Sequence, residues 1–242
     1  MAHQPYETLI HNGKVADATD ALILDLPAVC GDQALEASAC CKRPRGRPRA
    51  YDPDLVLEKA LRVFWEKGFA ATSLDDLVEA TGVNRPSLYA GFGDKEALYL
   101  KSMQRYRRRI SEQLDTVLSC NGTGDSLPVI VRRYFDIMIG TYTGQSEHPL
   151  GCAFMCTALN EAPQHESILE MLQNTIEEFD VRFERFFTDA QTYGCLSNNH
   201  DPRVLAQMIG GITANLGVRA RAGASAAELR AIADSTTRLL FG

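Results

Sequence analysis

No stretch of this chain is apolar for long enough to cross a membrane as a helix. A span needs about 18 or more apolar residues, and the best candidate, ALILDLPAVC at 21–30, is interrupted by Asp25. Acidic residues, Asp17 and Asp20, precede it where a secretory leader would be basic. A cytoplasmic location is therefore expected. The seven cysteines are an odd number, which argues against a disulfide framework. None forms a CxxC pair or a Cys/His group with structural-zinc spacing, so no metal is expected. The histidines (His3, His11, His148, His165, His200) are scattered, and HExxH, GxSxG and phosphate-binding glycine loops are all missing. Catalytic residues and cofactors are accordingly expected to be none. No segment alternates apolar and polar residues between turn signals, so the chain is expected to be all-α.

Positive charge is also scarce overall, at a net −6, which alone would argue against nucleic acid. Its distribution reverses that inference. Residues 1–41 carry −5, residues 42–110 carry +6, and residues 111–242 carry −7. Phosphate attraction is screened beyond roughly 10 Å, so the local sign matters more than the total.

The basic segment contains FAATSLDDLVEATGVNRPSLYAGFGDKEAL at 69–98. Thr72 and Ser73 are capping residues, and Asp75 and Asp76 follow at capping-box spacing. Gly82 can end the first short helix in a left-handed conformation. Asn84 is the next cap, and Val83 and Leu88 have the spacing of a hydrophobic staple around it. Pro86 falls in a first turn, where proline is tolerated. Two short helices joined by a tight glycine-containing turn make a helix-turn-helix, with its second helix at about 85–91.

Around this motif the chain divides into four regions. Residues 1–41 read as a disordered extension, the alternative being a true start further downstream. Residues 42–50, KRPRGRPRA, form a basic arm whose Arg45-Gly46-Arg47 core between prolines resembles an AT-hook, which lies in the minor groove of A·T-rich DNA. Residues 51–98 form the helix-turn-helix domain, with a scaffold helix at 53–67 that buries Leu57, Ala60, Leu61, Phe64 and Trp65. Residues 99–242 form a helical effector-binding and dimerisation domain, which a fourth helix at 95–118 links to the first. Further helices are expected at 127–139, 151–162, 165–193, 202–221 and 226–240. Arg105, Arg107, Arg108 and Arg109 read as a solvated face. Gly210-Gly211 inside a helix costs roughly 1 kcal/mol per glycine and suggests close approach of another helix.

GVNRPSLYAGFGDKEALY is similar to the signature of the TetR family (TetR/AcrR-like) of transcriptional regulators. The resemblance covers about residues 46–105, and PLGCAFMCTALNEA and VRARAGASAAELRAIAD resemble segments of some of its ligand-binding domains. It implies a homodimeric transcription factor in which the last two long helices pair with their mates. The operator would be near-palindromic double-stranded DNA. The expected function is a repressor released by a small apolar effector or by an oxidant or electrophile. The alternatives are an architectural DNA-binding protein without an effector and a helical enzyme.

Arg85, Pro86 and Ser87 open the second motif helix, the end that enters the major groove. Arg85 can hold guanine O6 and N7 in a bidentate manner. Asn84, Thr72, Tyr89 and Lys95 are expected to contact the DNA backbone or its edge. Lys95 at a helix start opposes the macrodipole unless a phosphate sits there. Cys152 and Cys156 lie four apart, and Cys152 is expected near a helix N-terminus that would lower its pKa, as in a thiol sensor.

Overall fold

Four side-chain caps divide the N-terminal part into helices. In the computed structural model, described over residues 51–118, 125–144 and 148–242, Asp52 caps α1 (Pro53–Lys67) and Ser73 caps α2 (Leu74–Thr81). Asn84 caps α3 (Arg85–Phe92), and Asp94 caps α4 (Lys95–Val117). Then follow α5 (Leu127–Thr143), a five-residue π-helical segment (Phe154–Ala158), α6 (Glu166–Thr192), α7 (Pro202–Arg221) and α8 (Ala226–Phe241). No strand occurs among the described residues. No helix among them is long and apolar enough to cross a membrane.

The core runs continuously from α1 to α8. On α1, Val56, Ala60, Leu61, Val63, Phe64 and Trp65 are buried, while Leu57 is only partly so. Phe64 meets Tyr99 of α4 edge to face at 5.1 Å, and Trp65 meets Tyr106 of α4 at 5.1 Å. Such pairs add roughly 0.5–1.5 kcal/mol to the area they bury. The long helix α4 therefore serves both halves: Leu98, Tyr99 and Met103 pack near α1, and Leu114 and Val117 continue the line beyond it.

The arginine run on α4 is not simply solvated. Arg105 faces Asp54 and Glu58 of α1 at 3.9 and 3.6 Å, and Arg107 faces Glu178 of α6 at 3.4 Å. These long, partly exposed pairs link α4 to its neighbours but add little stability, while Arg108 and Arg109 are exposed as expected.

One further expectation changes. The 151–162 stretch is a π segment followed by turns rather than a regular helix. A further close approach, between α7 and the loop before the π segment, lies at Gly217. A Cβ on Gly217 would fall 2.7 Å from Cys152 Cβ; one on Gly210 would meet Phe179 of α6 at 3.4 Å, and Gly211 faces outward. Gly151 answers Gly217 from the other side. Its φ of +70° suits glycine, and a Cβ there would lie 2.4 Å from the Gly217 carbonyl.

Candidate nucleic-acid interface

The reading helix is held by local bonds at one end and distant ones at the other. Gly82 ends α2 in the left-handed conformation at φ 72°, and its N–H donates to the Val78 carbonyl. Val83 and Leu88 are buried as the staple pair, and Asn84 Oδ1 accepts the Ser87 N–H at 3.0 Å. At the other end Lys101 Nζ donates to the Phe92 carbonyl at 2.8 Å, completing the C-terminus of α3.

Tyr51 supplies a brace that the sequence did not reveal. Its hydroxyl donates to the Ser87 carbonyl at 3.2 Å, and its ring lies 6.0 Å from that of Phe92. Gly91 makes room for it, since a Cβ there would sit 2.2 Å from the tyrosine oxygen.

With Leu88 and Phe92 inward, the outer face of α3 presents Arg85, Pro86 and Tyr89, the last 46% exposed. Ser87 is half-buried beside them, and Asn84 is exposed. Arg85 Nη2 bonds Asp75 Oδ1 at 2.5 Å across the turn. An exposed pair of this kind contributes little stability, but it sets the guanidinium at the mouth of the helix. Arg45 and Arg47 of the arm lie outside the described residues.

Two expected backbone contacts take on internal work. Thr72 is 2% exposed, its hydroxyl donates to the Gly68 carbonyl at 2.6 Å, and its N–H goes to the Phe69 carbonyl. It has nothing left to offer a phosphate, and the assignment to DNA is withdrawn. Lys95 reaches back along the α1–α2 turn and donates to the carbonyls of Phe69 and Thr72 at 3.0 and 3.1 Å, over the Phe69 ring. Those carbonyls offset the unfavourable dipole, and one of the three ammonium donors remains.

The reading unit is joined to the rest of the chain through backbone carbonyls. Arg221, at the end of α7, donates to the carbonyls of Trp65 at 2.9 Å, Glu66 at 3.1 Å and Leu150 at 3.3 Å. A cation here complements the C-terminal dipole of α1. Trp65 Nε1 donates to the same Leu150 carbonyl at 3.0 Å. Tyr99 and Thr157 share a 2.7 Å hydroxyl bond, and His165 Nδ1 lies 2.9 Å from Glu96. Burial pushes the Tyr99 hydroxyl up to about 12.

Behind this joint lies a cavity of about 430 Å³, walled by α4, α5, the π segment, α6 and α7. Its wall is largely apolar, including Ile110, Met138, Phe154, Met155, Leu172 and Phe179. That size is ordinary for a small-molecule site. Cys152 borders it but is not an activated thiol. Burial raises its pKa above the usual 9.0, the same cause raises that of Cys156, and the expected helix N-terminus is only a π turn starting after it. The low-pKa basis for a thiol sensor at Cys152 and Cys156 is overturned on that ground. No group of three His, Cys, Asp or Glu among the described residues could hold a metal ion.

Comparison with known proteins agrees with this geometry. Residues 56–101 match the family model described as "Bacterial regulatory proteins, tetR family". The chain is 32% identical over 206 residues to the HTH-type transcriptional repressor ComR of Escherichia coli (strain K12), spanning 85% of this chain and 97% of that protein. A cysteine mutant of the TetR family transcriptional regulator CifR, solved with 26-base-pair double-strand operator DNA, is similar in structure. Its TM-score is 0.72 at 29% identity, over 79% of this chain and 98% of that one. The reduced form of E. coli NemR shares the fold with a TM-score of 0.68 at 15% identity, over 78% and 96% of the two chains. From the exposed reading helix and these likenesses together, the chain belongs to the TetR family of DNA-binding transcriptional regulators, a family of regulators rather than enzymes.

Proposed function

We propose that this regulator is a cytoplasmic repressor that reads its operator with the start of α3 and leaves it when a small apolar molecule enters the cavity. The observation that carries the reading is the joint formed by Arg221, Trp65 and Leu150. It connects the end of α1, beneath the reading head, to α7 and to the loop before the π segment, both of which border the cavity. A ligand acts only through a difference in affinity between two arrangements. Here the two arrangements differ in how α7 and the Leu150 loop seat α1, and hence in the spacing of two reading helices.

That spacing requires a dimer. The exposed apolar side chains of α7, Val204, Met208 and Val218, share one side with Gly211, and Leu239 of α8 is also exposed. This surface supports pairing with a second copy and a near-palindromic operator. On the DNA, Arg85 and Pro86 read base edges. Ser87 reads base edges beside them; Asn84, Tyr89 and the remaining donor of Lys95 meet the backbone, and Arg45 and Arg47 enter the adjacent minor groove. The working division lies near residue 98, between a reader and a sensor.

Genome-wide mapping of binding sites, followed by gel-shift measurement on the sites found, tests this reading. A shared near-palindromic motif bound by a dimer supports it. Binding that tracks base composition alone, with no motif, would point to an architectural protein instead.

A further inference from the structure

Arg85 opens α3, a helix with no acidic residue in its first turn to complement the N-terminal dipole. The anion beside it comes from the other motif helix. Asp75, in the first turn of α2, accepts a hydrogen bond from Arg85 Nη2 on its Oδ1 at 2.5 Å. Among the described residues this is the one side-chain bond or ion pair that either residue makes. The adjacent Asp76 does the structural work of this helix start: it closes the capping box with Ser73 and pairs with Lys67. Asp75 takes no part in that, and its side chain is 78% exposed.

A carboxylate on a surface that meets phosphates weakens every complex with DNA, operator or not. An exposed ion pair returns little stability in exchange. The pair does change what the arginine can do. A free Arg85 is a flexible cation that neutralises any phosphate within its reach. Bound to Asp75, it has given up one Nη2 hydrogen and much of its net charge, and four N–H donors remain. Two of them suffice for O6 and N7 of a guanine, whose recognition depends on donor direction more than on charge.

Resting on the reading of Arg85 as a base-contacting residue, we propose that Asp75 is a positioning residue for operator specificity, which holds the Arg85 guanidinium for guanine and withholds it from phosphate. The carboxylate gives up affinity for all DNA and gains discrimination at one base step.

The test compares the native full chain with Asp75→Ala, Arg85→Ala and the double variant. The DNAs are an operator found by binding-site mapping, the same operator changed one base at a time, and a random duplex of equal length, measured by fluorescence anisotropy across a salt series. Asp75→Ala should lose about five- to tenfold of discrimination, at the same base step that Arg85→Ala affects. It should bind the random duplex more tightly, with a salt slope steeper by about one, because Arg85 is then free to take a phosphate. With Arg85 already replaced, Asp75→Ala should leave discrimination at that step unchanged. Discrimination untouched by Asp75→Ala overturns the inference, as does an equal loss when Arg85 is absent; either result leaves Arg85 as the base reader. A uniform gain in affinity for operator and random DNA alike also overturns it, because the carboxylate would then only repel phosphate. If Arg85→Ala spares discrimination at every step, the base-reading assignment falls and this inference falls with it.

Discussion

Helices α1 to α4 each begin at a side chain that accepts a backbone N–H: Asp52, Ser73, Asn84 and Asp94. Helix α5, the π segment and α6 begin with no such bond. The first group builds the reading head, and the second walls much of the cavity. A cap is a local device worth about 1 kcal/mol, and it fixes a helix start whatever the rest of the chain does. Without one, the start of α6 depends on tertiary contacts, and His165 there leans on Glu96 of α4, which Ser167 also bonds. The contrast teaches that the reader is specified locally at every helix start, whereas beyond it only α7 and α8 are, by Asp201 and the Ser225–Glu228 capping box. Elements with least local support are the ones that shift at low cost when a ligand arrives.

Phe64→Ala should break the contrast most severely. Phe64 lies between Phe69 of the head and Tyr99 of α4, and its loss should cost about 3–5 kcal/mol in urea unfolding. A single transition is expected, because the head and the sensor share this core; two separated transitions would make them independent bodies. Arg85→Ala should leave stability alone and remove about 1–3 kcal/mol of discrimination at one base step, measured by competition among operator variants. Equal loss on operator and random DNA would refute its base-reading role.

The caps themselves allow a paired test. Ser73→Ala removes the hydroxyl that accepts the Asp76 N–H and donates to its carboxylate, leaving the residue-73 N–H bonded to Asp76, and should destabilise by about 1 kcal/mol. Ser126→Ala, at the uncapped start of α5, should change stability by less than about 0.5 kcal/mol. Similar losses at both sites would erase the distinction. The smallest effect is in acid. The bond from Lys67, then those from Ser73, hold the Asp76 carboxyl down at about 2, from 3.8. Its contribution to stability is full above pH 4 and is lost as the pH falls through 2. Asp76→Asn should flatten that part of the pH–stability curve, and an unchanged curve would locate the acid sensitivity elsewhere.

What could be read from the sequence follows the same contrast. Ser73, Gly82, Val83, Asn84 and Leu88 announce the motif because their roles are settled within a few residues. Thr72 misled for an equally local reason: it can cap, but its hydroxyl turns back to Gly68 and leaves Ser73 to do so. The sensor was legible only as helices. Its cavity arises where five elements fail to fill the space between them, and no single stripe of Phe, Met and Leu reveals that. The tight approach at Gly217 carried no signal of its own, because it depends on a loop 65 residues earlier. Tyr51 and Arg221 act across 36 and 156 residues, beyond any motif.

The reach of Arg221 has a consequence for the nascent chain. The local contacts of α1, α2 and α3 can form as soon as those helices leave the ribosome. The carbonyls of Trp65 and Glu66 meet the guanidinium only after the next 150 or so residues have been made. At roughly 5–20 residues per second that delay is about 8–30 s. During it only the local contacts of the head can form, so its final orientation is fixed near the end of synthesis, once the second half exists to impose it.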